Sequence, residues 1–412
     1  MSRIRVLVVD DSVVVRRLVT DVLSEDPEIE IIGTANNGRV GVDKVEELKP
    51  DLVTLDIEMP EMNGLEALQA IRKRHPRLPI IMFSTLTQNG ASSTLDALAL
   101  GASDYVTKPA NVGSITQGMQ ALREQLTPKI HALCKRGALV APIRPVTTLR
   151  SRIVPTSAKA PIERLAEHRD RTRFTIASPS ARDRTARTTT GVSSSTAVPP
   201  PTRPGSRSGR VDLVVIGSST GGPNALATVF AALPRDLGVP ILITQHMPPM
   251  FTTLFAERLS KINTIPVAEA TDGMIVKPNH AYLAPGDHHM LLEGGPASPR
   301  LRLTQDAPVN SCRPAVDPMF RSAIKHYGGN LLSVILTGMG SDGLDGCRAV
   351  VEAGGQVLTQ DEQSSVVWGM PGHVTQAGLA DAVLPLERIG AEIAQRVSKG
   401  RLTGAGAARR IG

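Results

Sequence analysis

The sequence predicts an α/β protein made of two doubly wound parallel-sheet domains joined by a long flexible linker. Three observations predict it. Over residues 1–125, five short apolar runs alternate with helical patterns. The same alternation resumes at Val211. The stretch between them is dominated by Pro, Thr, Ser and Arg and shows neither period. Strands that alternate with helices build a parallel sheet covered on both faces. The expected plan is one domain over 1–125, a helix extension and basic linker over 126–210, a second domain over 211–400, and a frayed Gly-, Ala- and Arg-rich tail over 401–412.

In the first domain, strands are predicted at 6–9, 29–32, 52–55, 80–83 and 105–107. Between the first two, Val15, Leu18, Val19 and Val22 mark one helical face, and Ser12 is placed to cap it. The linker holds most of the charge. The chain carries a net +7, yet residues 141–210 alone hold 14 Lys/Arg against 4 Asp/Glu, so the remainder is mildly acidic. That segment has one Phe and no recognition helix, which argues against a nucleic-acid partner and for a solvated tether. About 70 residues of such chain span on the order of 45 Å. A short helix over 162–168 would be marginal alone.

In the second domain, strands are predicted at 211–216, 241–244, 281–284, 331–337, 356–359 and 382–386. The runs at 289–292 and 301–304, separated by EGGPASPR, predict an inserted hairpin. No run approaches 18 apolar residues, so no membrane insertion is expected. The N-terminal apolar run is too short for a signal peptide. Cys134, Cys312 and Cys347 show neither metal spacing nor an even framework, which fits reduced thiols in a cytoplasm.

Two sets of polar residues stand at predicted strand ends, the edge where ligands bind in open α/β sheets. In the first domain, Asp10 and Asp11 follow the first strand and Asp56 ends the third. Gathered carboxylates repel unless a cation joins them, and oxygen ligands suit Mg²⁺. Ser84 ends the fourth strand and Lys108 follows the fifth. A hydroxyl and an ammonium there can hold the oxygens of an acyl phosphate on Asp56.

In the second domain, VVIGSSTGGPNALATVF reads as strand, glycine-bracketed turn and helix. Gly217, Gly221 and Gly222 are expected to serve φ > 0. Pro223 suits a first helical turn, and Leu226, Val229, Phe230 and Leu233 form a buried face. Ser219 on this turn faces the positive end of a helix. His246 follows the second strand of this domain and Asp342 follows the strand over 331–337. A serine hydroxyl needs an imidazole to take its proton, and the imidazole needs a carboxylate to hold its tautomer. Oxyanion donors are expected among the backbone amides beside Ser219 or in the Gly338–Met339–Gly340 turn. The order Ser, His, Asp differs from that of α/β-hydrolases, and GSSTGG lacks the dinucleotide pattern. Asp287, His288 and His289 do not make a metal site, since neighbours on a strand point to opposite faces.

The first set, with DD, LDIEMPEMNG, MFSTLT and GASDYVTKP, resembles the flavodoxin-like receiver domain of two-component response regulators. The resemblance implies Asp56 as phosphoacceptor, Asp10, Asp11, Asp56 and the Glu58 carbonyl as the Mg²⁺ site, Ser84 and Lys108 as switch residues and Tyr105 as the mobile aromatic. The second set, with IGSSTGG, ITQHMPPMFT, AYLAPGDHHM, PVNSCRPAVDPMF, ILTGMGSDG and VVWGMPG, resembles the Rossmann-like catalytic domain of chemotaxis protein-glutamate methylesterases. That resemblance implies Ser219 as nucleophile, His246 as base and Asp342 as orienting acid. It implies hydrolysis of glutamate γ-methyl esters, and deamidation of glutamines, on methyl-accepting chemotaxis receptors. It implies a CheA-type histidine kinase as phosphodonor and no cofactor for the esterase reaction. Where the family carries a small apolar residue, this chain has Ser218, a second hydroxyl beside the nucleophile.

Overall fold

The computed structural model describes residues 3–108, 115–134, 209–262, 265–295 and 298–408. The predicted linker, its helix over 162–168 included, lies outside the described residues from 135 to 208.

The first domain is a five-stranded parallel sheet of β1 (Ile4–Val9), β2 (Ile29–Ala35), β3 (Leu52–Asp56), β4 (Ile80–Ser84) and β5 (Asp104–Thr107), ordered β2-β1-β3-β4-β5. All five predicted strands are present. Helices α1 (Val13–Ser24), α2 (Gly38–Leu48), α3 (Gly64–Arg74), α4 (Gln88–Ala99) and α5 (Ile115–Cys134) follow in turn. Alternate residues explain why both faces are covered: Val6 and Val8 enter one core, while Leu7 and Val9 enter the other. Helix starts follow local chemistry. Ser12 caps α1 by accepting from the Val15 amide, as predicted, and Asn63 with Glu66 forms a reciprocal capping box on α3.

The second domain is a seven-stranded parallel sheet. Its strands are β6 (Leu213–Ser218), β7 (Ile241–Gln245), β8 (Val267–Glu269), β9 (Ala281–Leu283), β12 (Leu331–Ile335), β13 (Gln356–Gln360) and β14 (Ala382–Leu384), in the order β14-β13-β12-β6-β7-β9-β8. The predicted hairpin is β10 (His289–Glu293) against β11 (Arg300–Thr304), paired antiparallel. Its helices are α6 (Gly222–Ala231), α7 (Phe251–Ile262), α8 (Val316–Tyr327), α9 (Leu344–Glu352), α10 (Met370–Gln376) and α11 (Leu386–Ala408).

Two features differ from expectation. β8 has three residues, too few to show alternation, and exists by pairing with β9. Of the tail expected to fray over 401–412, residues up to Ala408 continue α11, whose earlier part is anchored to the core by Ile389, Ile393 and Val397, and 409–412 lie outside the described residues.

The domains are docked. Ala91, Leu95, Leu98 and Tyr105 of the first share one continuous apolar core with Ala227, Phe251 and Phe255 of the second. Val366, Val367 and Met339 of the second pack against the other core of the first.

Candidate active site and acidic cluster

β6 and β7 run side by side in a register that pairs Ser218 with Gln245. The next residues along the two strands are Ser219 and His246. The His246 amide donates to the Ser218 carbonyl at 3.1 Å, which fixes the histidine backbone beside the serine turn. β12 flanks β6 on its other side, and the Ser219 amide donates to the Thr337 carbonyl at 3.1 Å. The chain after β12 then carries Asp342 back, and His246 Nε2 lies 2.8 Å from Asp342 Oδ2. The fold thus brings the three predicted residues to one sheet edge. Ser219 is half-buried and its hydroxyl makes no hydrogen bond among the described residues.

Asp342 is 2 % exposed and richly held. Oδ2 also accepts from the Val316 amide at 2.6 Å. Oδ1 accepts from the amides of Gly343 and Asp317 and from Asn310 Nδ2. Burial alone would raise this carboxyl, but the His246 bond and these donors outweigh it and hold it below the usual range. Burial alone would likewise lower the imidazole; its contacts with Asp342 and Cys312 reverse that and raise it. With Nε2 committed to Asp342, the other ring nitrogen faces Cys312, whose Sγ lies 3.5 Å from Nδ1.

The turn carrying Ser219 departs from expectation in one respect. Only Gly221 has left-handed backbone, at φ +76°. Gly217 and Gly222 are required for space. A Cβ on Gly217 would meet the Val316 methyls at 2.7 Å, and one on Gly222 would meet Gln245 Oε1 at 2.0 Å. That same Gln245 binds the second hydroxyl: Ser218 is fully buried and donates to Gln245 Oε1 at 2.7 Å, while Gln245 Nε2 donates to the Ser219 carbonyl at 3.0 Å. Ser218 is therefore structural. The oxyanion candidates also narrow. The Ser219 amide is spent on Thr337, and the Gly338 amide donates to Val367 at 3.0 Å. The amides of Thr220, Met339 and Gly340 remain as candidates.

In the first domain, Asp10, Asp11 and Asp56 converge at the ends of β1 and β3, with carboxylate oxygens within 4.8 Å of one another. Lys108 Nζ lies 2.8 Å from Asp56 Oδ2 and 3.1 Å from Asp10 Oδ2. Those two oxygens are buried and receive no well-directed hydrogen bond. Burial and the Asp10 charge raise Asp56 to about 6, against the lowering effect of Lys108 and of the Glu58 amide. Buried, under-bonded oxygens in a like-charged group are the donor set a hard cation takes. Ser84 is engaged with α4: its hydroxyl donates to the Gly90 carbonyl at 3.1 Å and lies 2.6 Å from Thr94 Oγ1. Tyr105 is buried and stacks on Phe251 of the second domain, ring centroids 5.0 Å apart.

Polar contacts also join the domains, and one of them is next to Ser219 in the chain. Thr220 donates to Asp104 Oδ2 at 2.6 Å, and Asp104 is also paired with Lys129 at 2.9 Å. Asn224 Nδ2 donates to the Leu98 carbonyl at 2.6 Å, and Arg258 pairs with Asp96 at 2.9 Å. Sequence reasoning missed Thr220, Asp104, Asn310, Cys312 and Gln245. Only Asn310 left a trace, in an Asn-Ser pair of the kind that favours tight turns.

Comparison with known proteins places these sites in context. Residues 214–393 match the CheB methylesterase family model and residues 6–120 match the response regulator receiver domain model. A protein-glutamate methylesterase/protein-glutamine glutaminase of Nocardioides sp. is 48% identical over 401 residues, covering 97% of each chain. The protein of the same description from Trichodesmium erythraeum is 44% identical over 397 residues, covering 96% of this chain and all of that one. The CheB methylesterase catalytic domain of Thermotoga maritima, a solved structure, is 42% identical, with a TM-score of 0.44 over 45% of this chain and 98% of that one.

Proposed function

The chain belongs to the CheB methylesterase family and carries a response regulator receiver domain, and from that premise we propose that it is a phosphorylation-gated serine esterase acting on chemoreceptors. Its substrates are glutamate γ-methyl esters, and selected glutamines, on the cytoplasmic helices of methyl-accepting chemotaxis receptors, and the outcome is sensory adaptation. It works in the cytoplasm, and a CheA-type histidine kinase supplies the phosphoryl group. The observation that carries the catalytic part is the His246–Asp342 bond of 2.8 Å on a histidine whose backbone is locked to the serine turn.

The chemistry follows from which ring nitrogen Asp342 leaves available; Nδ1 has only the weak Cys312 thiol beside it, which the serine hydroxyl displaces. Asp342 holds Nε2, so Nδ1 takes the Ser219 proton as the hydroxyl oxygen attacks the ester carbon. Hydrogen bonds of this kind tighten only when substrate is bound. The resulting oxyanion is met by backbone amides among Thr220, Met339 and Gly340, beside the N-terminus of α6. Nδ1–H then protonates the departing methoxide, giving methanol, or the departing amine, giving ammonia. Water, deprotonated by Nδ1, releases the glutamate carboxylate and restores Ser219. Throughout, Asp342 stabilises the imidazolium.

Control resides in the docked face. Asp10, Asp11, Asp56 and the Glu58 carbonyl would hold Mg²⁺, and the cation would supply positive charge against the buried carboxylates and a phosphoryl group. A phosphoryl group on Asp56 brings roughly −1.5 to −2 charge and strong acceptors. Lys108 is already in place to bind it. Ser84 turns from the Gly90 carbonyl to meet it, which loosens the first turn of α4. α4 and β5 carry the Leu98, Asp96, Asp104 and Tyr105 contacts, so the interface beside Ser219 weakens and the receptor helix gains access. A shift of a few kcal/mol is enough for strong control.

Covalent labelling tests the nucleophile. A fluorophosphonate is expected to modify Ser219 in the full chain, with labelling lost in Ser219→Ala and His246→Ala. Labelling that persists in Ser219→Ala overturns the assignment.

A further inference from the structure

Opposite the histidine, Asp342 faces a second buried carboxylate. Asp317, at the start of α8, is 2 % exposed, and its amide lies 3.3 Å from Asp342 Oδ1. Two acids this close and this buried repel, and Asp317 is raised by burial and by the Asp342 charge. One side chain joins them. Asn310 Nδ2 donates to Asp342 Oδ1 and to Asp317 Oδ2, each at 3.0 Å, one amide hydrogen for each acid. An amide oxygen at that position would face two carboxylates, so the geometry fixes its orientation.

The backbone beneath Asn310 is built for this reach. Val309 and Cys312 exchange backbone hydrogen bonds of 3.1 and 2.9 Å, and the two residues between them both have left-handed backbone, Asn310 at φ +52° and Ser311 at φ +62°. This is a two-residue turn with φ > 0 at both centres. Asn tolerates that region better than most residues; Ser does so less well. The turn thus presents Asn310 from the solvent side over two buried acids and, two residues on, sets Cys312 against His246 Nδ1.

We propose that Asn310 is a positioning residue of the esterase: by bridging Asp342 and Asp317 it fixes the Asp342 carboxylate so that Oδ2 meets His246. Without the bridge, Asp342 loses the one side-chain donor on Oδ1, keeps only the Gly343 and Asp317 amides there, and no longer shares a donor with the Asp317 carboxylate. The carboxylate then rotates or shares its charge with a proton on Asp317, and the imidazolium formed during attack loses its partner. This inference rests on the serine-triad reading above.

The turn chemistry supplies a clean test in the full-length protein. Asn310→Gly removes the amide but keeps a residue at ease at φ +52°. Ser311→Gly relieves the neighbouring left-handed position and keeps the amide. Methanol release from methylated receptor gives kcat and KM; the downfield proton resonance of His246 Nε2–H reports its bond to Asp342. Asn310→Gly is expected to lower kcat at least tenfold with KM within twofold, and to shift or broaden that resonance. Ser311→Gly is expected to match wild type within twofold on all three. The proposal is overturned if Asn310→Gly keeps the wild-type kcat and resonance, or if Ser311→Gly loses as much as Asn310→Gly, which would assign the effect to the turn. Ser219→Ala separates the two levels: activity surviving there defeats the triad reading, whereas an inactive Ser219→Ala beside a fully active Asn310→Gly defeats only the role of Asn310.

Discussion

Thr220 and Asp104 belong to different domains, yet the Thr220 hydroxyl donates to Asp104 Oδ2 at 2.6 Å, one residue from Ser219. A hydrogen bond to a buried charge contributes about 1.5–3 kcal/mol. It therefore ties the first domain to the turn that carries Ser219.

Asp104→Asn keeps the size of the side chain and removes its charge, weakening the bonds to Thr220 and Lys129 together. The expected outcome is a basal esterase rate, without phosphodonor, raised about tenfold, since 1.4 kcal/mol is a factor of ten. The phosphodonor-stimulated rate should change little. Steady-state methanol release in both conditions checks it.

The two serines separate by environment. Ser219→Ala should cost at least about 10³-fold in kcat. Ser218→Ala should retain activity within a few-fold but lower stability by about 1–3 kcal/mol, because Gln245 Oε1 loses its buried donor. Denaturant melts and rate measurements on both variants distinguish them.

The pH profile follows from the coupled pair. His246 is raised by its bonds to Asp342 and Cys312, so Nδ1, the proposed base, stays protonated to higher pH than a free imidazole, and kcat/KM should rise with pH through a limb above about 6.5. The stability this raised histidine contributes is complete below its unfolded value and fades as pH climbs through the folded one. The stability from Asp342, held low, is present above its unfolded value and fades as pH falls through the folded one. Asp342→Asn removes the charged one of the two partners that raise His246, so the limb should move to lower pH while kcat falls on the order of 10³- to 10⁴-fold. Rate profiles from pH 5 to 10 measure both.

Asp56, raised to about 6, binds more protons folded than unfolded between about pH 4 and 6, so its contribution to stability declines as pH rises across that window. At pH 7 the ionised Asp56 is therefore a net cost, which a divalent cation bound at the cluster would relieve. Mg²⁺ should raise the melting temperature and a chelator should reverse it. Asp56→Asn should melt higher than wild type without Mg²⁺ and respond less to it. Thermal melts at pH 7 with and without Mg²⁺ decide this.

The periodicity of apolar residues made the sheets legible, because buried parallel strands such as Leu52–Asp56 are continuous apolar runs and the helices between them carry one-sided faces. Residues at strand ends were legible for the same reason: once β6, β7 and β12 are placed, Ser219, His246 and Asp342 must reach one edge. What the pattern hid depends on contacts remote in the chain. Gly217 and Gly222 looked like turn residues, but their role is to admit Val316 and Gln245, which no local reading reveals. Asn310 bridges two acids 7 and 32 residues away, and Asp104 meets Thr220 across 116 residues. β8, with three residues, has no period to detect.

The central claim is that the first domain gates a serine esterase in the second. The most direct measurement is methanol release from methylated receptor by the full chain, with Mg²⁺, with and without an acyl phosphate donor, for wild type and Ser219→Ala. A gated serine esterase gives a low rate that rises at least tenfold with donor in wild type and no release from Ser219→Ala in either condition. Equal wild-type rates with and without donor, or release by Ser219→Ala, would contradict it.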